Sequence, residues 1–193
     1  MTDARIERDK SVWRRDPPPY NRRMTAAPEG EYRAAFARLT GGILDACRRH
    51  YGARLVSLAV FGSVGRGTPR PDSDVDLLIV AADLPRGRTA RVKEFLAIER
   101  RLEPALQEAR RQGLSPSLSP VFKSPEEASA GSPLFLDMLD DAQVLFDPDG
   151  FLAGVFDRLR RRLAATGARR VWVGSAWFWD LKPDYQPGDE FEL

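Results

Sequence analysis

Cysteine and histidine each occur once in this chain of 193 residues, as Cys47 and His50. A single thiol cannot close an intramolecular disulfide, so a reducing, cytoplasmic setting is the default expectation. A single imidazole excludes zinc sites built on several histidines, and any Ser–His–Asp triad that does not use His50. His50 closes a helical pattern, where a cation suits the dipole, and reads as structural. No run of about 18 apolar residues is present, so nothing is expected to span a membrane. The polar N-terminus lacks the apolar middle of a secretory signal. Lysine is scarce, at Lys10, Lys93, Lys123 and Lys182, and arginine carries most of the positive charge. The formal net charge is only +2, which gives no global attraction to nucleic acid or an anionic membrane. A nucleic-acid partner reached through the Arg-rich N-terminus is therefore the weakest of the functional readings.

Hydrophobic residues make up 42 % of the chain and charged residues 30 %, ordinary for one globular domain with a proper core. Residues 1–30, rich in Arg, Asp and Pro, read as a flexible arm. The apolar spacing of Tyr32, Ala35, Phe36, Leu39, Ile43, Leu44, Cys47 and Tyr51 predicts an amphipathic helix over Glu31–Tyr51, with Gly52 as its cap. Leu55–Phe61 and Val75–Ala81 read as strands, the second apolar enough to be buried on both faces. A long helix is expected over Arg88–Gln112, with Val92, Phe95, Leu96, Glu99, Leu102 and Leu106 on its face and Pro104 kinking or dividing it. Leu114–Phe122 reads as an edge strand because of its two prolines.

Ser124-Pro125-Glu126-Glu127 reads as a helix start, Pro133–Leu139 as a short helix and Gln143–Phe146 as a strand. A turn at Asp147–Gly150 leads to a helix over Phe151–Ala165, whose Arg158–Arg162 run reads as a solvated face. The tail carries Trp172, Trp177, Phe178, Trp179, Tyr185 and Phe191, and reads as an aromatic strap packed on the domain. Its Asp180, Lys182 and Asp184 read as a surface loop, with a fold-over onto the site as the alternative. The alternation predicts an α/β (α+β) fold: a mixed sheet of four or five strands flanked by helices, with a C-terminal helix and aromatic tail. The divisions are an arm over 1–30, a core over 31–146, and the C-terminal helix and tail over 147–193.

Chemistry concentrates in "AVFGSVGRGTPRPDSDVDLLIV", Ala59 to Val80. The first strand ends in Gly62-Ser63, where backbone N–H groups and a hydroxyl make a seat for phosphate oxygens. Arg66 and Gly67 add a cation and a second flexible point. Asp74 and Asp76 then flank Val75 at the mouth of the second strand, so their carboxylates share one face. Two acids so close repel unless a cation lies between them, and Mg²⁺ takes oxygen ligands that it shares with substrate phosphates. A phosphate seat beside a carboxylate pair is apparatus for phosphoryl or nucleotidyl transfer. The bland alternative makes Asp74 the end of a Pro-rich turn and Asp76 a solvated strand residue.

Gly62-Ser63, ten intervening residues and Asp74-x-Asp76, with Arg66-Gly67 in the gap, resemble the signature of the DNA polymerase beta-like nucleotidyltransferase superfamily. The likeness is to its minimal branch, which includes antitoxins paired with HEPN toxins and is related to kanamycin nucleotidyltransferase. It implies a nucleotidyltransferase fold with Mg²⁺ as cofactor and ATP or another NTP as substrate. Gly62, Ser63, Arg66 and Gly67 would hold the nucleotide's phosphates. Asp74 and Asp76 would bind the metal and act as the catalytic pair, steadied by Ser73. The acceptor would be a hydroxyl on a small molecule or a protein, with a small helical HEPN-type partner among the precedents. Members of the family add a third acid on the following strand. Here that strand offers only Ser117 and Ser119, and Glu126 and Glu127 just beyond it are the candidates to replace it. Without a third acid, the alternative is a nucleotide-binding or partner-binding module with little or no turnover.

Overall fold

The helical periodicity of the N-terminal half becomes α1, Glu29–Tyr51, which buries Tyr32, Ala35, Phe36, Leu39, Ile43, Cys47 and Tyr51 while Leu44 stays half-buried. The computed structural model describes residues 29–173 and 176–186. The expected arm, up to residue 28, and Phe191 of the tail lie outside the described residues. Gly52 follows α1 at φ +54 and opens a 3-10 turn, Gly52–Arg54. From it the chain enters β1, Leu55–Phe61; a single turn of helix, α2, Gly62–Gly65; and β2, Val75–Ala81. Both strands have the limits that their apolar runs predict.

Helix α3, Arg88–Arg111, continues through Pro104 as one element. Proline removes one N–H, but the loss is tolerated where a helix is held by its buried face. That face is Phe95, Ile98, Leu102, Leu106 and Ala109, packed on the α1 side of the core. Val92 and Leu96, expected in it, stand exposed instead. Next come β3, Leu118–Lys123; α4, Pro125–Ser129; α5, Leu134–Asp141; and β4, Gln143–Phe146. Helix α6, Phe151–Ala165, is followed by a hairpin not expected from sequence, β5, Arg169–Val173, and β6, Ala176–Asp180.

The main sheet has the order β3-β2-β1-β4. β1 runs antiparallel to both neighbours, whereas β2 and β3 are parallel, which α3 makes possible as the crossover between them. The sheet is therefore mixed, with β3 and its Pro120 at one edge. Side chains alternate across it. Leu58, Val60, Val75, Leu77 and Ile79 pack under α1 and α3, and Ala59, Phe61, Leu78 and Val80 pack against α5 and α6. Trp179 and Leu181 of the C-terminal segment rest on this second cluster. The core is thus helix–sheet–helix, and the Gly62-Ser63 turn and the Asp74/Asp76 pair meet at one end of its two central strands.

Candidate active site

β1 and β2 return on each other with Phe61 opposite Asp76, so the residue after Phe61 falls beside the Asp76 carboxylate. Gly62 takes φ +66, and a Cβ built on it would collide with Asp76 Oδ2. Glycine is therefore required twice over, for a left-handed backbone and for the approach of that carboxylate. Gly65 is similarly confined, since a Cβ there would meet the Asp141 carbonyl at the end of α5.

A cavity of about 570 Å³ opens over this junction. Gly62, Ser63, Arg66 and Thr68 line it from the turn, Arg70, Asp72 and Ser73 from the connecting loop, and Asp74 and Asp76 from the mouth of β2. The structure thus brings Gly62, Ser63, Arg66, Ser73, Asp74 and Asp76 to one surface. Gly67 sits in the same turn at φ +72, its N–H donating to the Val64 carbonyl at 3.0 Å.

Both acids are held from the start of β3, Asp76 by Ser119 within the strand and Asp74 by Ser117 just before it. The Ser117 hydroxyl donates to Asp74 Oδ1 at 2.5 Å. Ser119 stands opposite Asp76 in the parallel register and hydrogen-bonds its side chain. Burial pushes the Asp76 carboxyl above its ordinary value; the Ser119 hydrogen bond opposes the shift, the Asp74 charge adds to it and the Arg66 charge opposes it. A half-buried carboxylate with a second one two residues off accommodates a cation readily. Among the described residues no three His, Cys, Asp or Glu side chains cluster to hold a metal. The donor set is a pair of carboxylates, which fits a hard divalent cation that completes its shell with water and substrate oxygens.

Arg66 and Ser73 line the cavity and make further contacts of their own, whereas the two glutamates stand apart from it. The Arg66 guanidinium pairs with Asp141 Oδ2 at 2.8 Å, tying the turn to α5. Ser73 steadies the loop rather than the acids: its hydroxyl accepts from Arg70 N at 2.8 Å. Glu126 and Glu127 do not approach the pair. Lys123, at the end of β3, is opposite Val80, four residues along β2 from Asp76. At about 3.3 Å per residue this is roughly 13 Å down the sheet, and both glutamates lie beyond it in α4. Glu127 is engaged twice there, in a capping box with Ser124 and a bidentate pair with Arg91 at 2.7 and 2.8 Å. These bonds hold the Glu127 carboxyl down at about 2. In the tail, Asp180 pairs with Arg169 and Lys182 with Asp184, none of them lining the cavity. His50 faces Glu94 at 3.4 Å, at the α1–α3 contact.

Sequence reasoning misses Thr68, Arg70 and Asp72 as lining residues, Asp141 as the partner of Arg66, and the serines as holders of the acids. The alternation of Arg70, Asp72 and Asp74 along the loop is the available signal for two of them. The serines emerge only once the β2–β3 register is known.

The family profile described as "Nucleotidyltransferase domain" matches residues 41–123, the stretch from within α1 to the end of β3. The chain is 33 % identical over 119 residues to "Putative protein adenylyltransferase MJ1305" of Methanocaldococcus jannaschii, covering 61 % of this chain and 76 % of that protein. Solved structures also superpose on it. "Crystal structure of the toxin-antitoxin with AMP-PNP" does so at 16 % identity and a TM-score of 0.38, over 65 % of this chain and 90 % of that one. "Crystal structure the toxin-antitoxin MntA-HepT" does so at 13 % and 0.34, over 69 % and 92 %. Superpositions this loose carry no argument. The profile match over the strand–turn–strand unit and the archaeal relative's similarity over three-quarters of its length do, and by them this chain belongs to the nucleotidyltransferases.

Proposed function

We propose that the protein transfers a nucleoside monophosphate, AMP from ATP in the first instance, to a hydroxyl of a protein acceptor and releases pyrophosphate. The observation that carries this reading is the contact between Gly62 and Asp76, which joins a phosphate-binding turn to a carboxylate pair at one cavity. The archaeal relative's description as a protein adenylyltransferase supports a protein acceptor over a small molecule. A cytoplasmic setting suits a chain with one thiol, and no helix of the described residues is long and apolar enough to cross a membrane.

In this reading the turn N–H groups and the Ser63 hydroxyl receive the terminal phosphates, and Gly67 lets the backbone curve around them. Asp74 and Asp76 would hold Mg²⁺, and a bound Mg²⁺ supplies charge neutralisation on the polyphosphate and polarises the α-phosphoryl group. Ser117 and Ser119 fix the orientation of the two carboxylates, so their alignment is set before substrate arrives. The acceptor oxygen attacks the α-phosphorus, the bond from that phosphorus to the bridging oxygen breaks, and pyrophosphate carries off the electron pair. The acceptor's proton leaves to solvent or to the carboxylate pair, since Glu126 and Glu127 stand too far away.

A second reading is a nucleotide-binding or partner-binding module with little turnover. It is favoured by the serines, Ser117 just before β3 and Ser119 on it, that stand where a third carboxylate is expected. One comparison separates the two: the protein is incubated with Mg²⁺, α-labelled ATP and a lysate of its source, beside Asp74→Ala/Asp76→Ala. Label on a protein band and pyrophosphate release, both lost in the double variant, are expected. Transfer that survives the double substitution rules out this site. Nucleotide binding without transfer under any condition establishes the second reading.

A further inference from the structure

Two arginines line the cavity, and their circumstances differ. Arg66 is committed to Asp141 at 2.8 Å, and that carboxylate is only 14 % exposed. Arg70 is 81 % exposed, and its ion pair is a 3.5 Å contact with Asp72, itself 72 % exposed. Such a pair is weak and readily exchanged.

The backbone beneath Arg70, by contrast, is closely held. Pro69 and Pro71 flank it, restricting the chain on both sides. Its N–H donates to the Ser73 hydroxyl at 2.8 Å and its carbonyl accepts from Ser73 N at 3.0 Å, closing a tight turn. The Pro71 carbonyl accepts from Ser115 N at 2.7 Å, which anchors the loop to the approach of β3. A loosely paired guanidinium on a fixed backbone at the rim of a phosphate cavity is suited to exchange a weak carboxylate for a phosphate. Phosphate accepts its planar fork through two parallel hydrogen bonds.

We infer that Arg70 is the residue that reads the length of the polyphosphate, taking the end phosphate of a nucleoside triphosphate, and that Asp72 is the counter-ion which the phosphate displaces. This rests on the nucleotidyl-transfer reading above and assigns specificity within it: triphosphates are selected over monophosphates by Arg70. It also gives Ser73 its role, as the hydroxyl that positions Arg70.

The test is titration calorimetry on the full chain with Mg²⁺, a non-hydrolysable adenosine triphosphate analogue and AMP. Arg70→Ala is expected to weaken the triphosphate by about tenfold or more and AMP by less than about twofold, with Arg70→Lys in between. Asp72→Asn, which removes the competing anion, is expected to tighten the triphosphate by about threefold. In transfer assays Arg70→Ala raises KM for the triphosphate and leaves kcat within about twofold. Unchanged triphosphate affinity in Arg70→Ala, where Asp74→Asn/Asp76→Asn does weaken it, overturns the role of Arg70 and leaves the site intact. Equal weakening of triphosphate and AMP also overturns it, because Arg70 then does not read length. If the unaltered protein binds no triphosphate, the nucleotidyl-transfer reading itself falls.

Discussion

Substituting Gly62 by alanine tests whether the turn and the acids form one apparatus. At φ +66 a side chain puts the backbone in the left-handed region, which costs about 1–2 kcal/mol. For a domain of this size that corresponds to a fall in Tm of about 2–8 °C. The added methyl also collides with Asp76 Oδ2, so the carboxylate, the turn, or both must move. A displacement of about 1 Å at a reacting centre costs on the order of a hundredfold in rate. Gly52→Ala is the matched control: it takes φ +54, its added methyl meets nothing within 4 Å, and it lies outside the cavity. Gly52→Ala should lose only the backbone cost by thermal denaturation, and Gly62→Ala at least as much. Only Gly62→Ala should lose nucleotidyl transfer, measured at a temperature where both are folded. Full transfer by Gly62→Ala, or a loss no greater than that of Gly52→Ala, would refute the coupling of turn and carboxylate.

Three other outcomes follow from contacts described above. Ser117→Ala and Ser119→Ala each remove a hydrogen bond to a carboxylate, at about 1.5 kcal/mol, so kcat/KM should fall by about tenfold for each; an unchanged double variant would mean that the acids orient themselves. Glu127, held at about 2 against an ordinary value of 4.5, contributes stability that is present above the unfolded value and lost as pH falls through the folded one. With its carboxylate 43 % exposed, solvent screening leaves about 1 kcal/mol. Urea unfolding of Glu127→Gln should therefore show that deficit at pH 7, narrowing as pH falls from 4.5 towards 3, and a gap that widens on acidification contradicts the pairing. Cys47 is fully buried, and burial pushes its thiol up to about 12. Iodoacetamide at pH 8 should leave the native protein unmodified and label it in step with unfolding by urea; labelling at the rate of a free thiol in native buffer would show that this part of the core opens.

The parts of the fold legible in sequence are those whose signal is local. β1, β2 and α6 are bounded by turn residues and β4 runs into the Asp147–Gly150 turn, and all four have their expected limits. The capping box at Ser124 can be read because all its atoms lie within four residues. Pro104 does not divide α3, because a proline's effect depends on how firmly the buried face of its helix is held, and α1 supplies that hold. The β5–β6 hairpin escapes the reading of the tail as a strap, although Gly174-Ser175 separates two runs rich in aromatic and β-branched residues, a pattern typical of two-residue hairpins. In the site, Gly62, Ser63, Asp74 and Asp76 are readable because one hairpin-like return brings them together. The Ser117 and Ser119 contacts depend on a parallel register set after a 24-residue helix, and Asp141 reaches Arg66 only through the docking of α5. Neither distance is encoded in spacing. The glutamates are misplaced for the same reason: nearness to β3 in sequence does not say which end of the strand they occupy.

Pro120 has an effect beyond the strand that carries it. A chain that adds itself to a sheet needs an edge with an unbroken row of N–H and C=O groups, and such an edge also seeds fibrils. Here one edge is interrupted by an imino acid and the other, β4, is four residues long. Strand-by-strand growth is discouraged at both sides, which favours a protein that stays dispersed when abundant. For the acceptor proposed above, strand addition is disfavoured at both edges of this sheet, which leaves side-chain contacts around the mouth of the cavity as the route of docking.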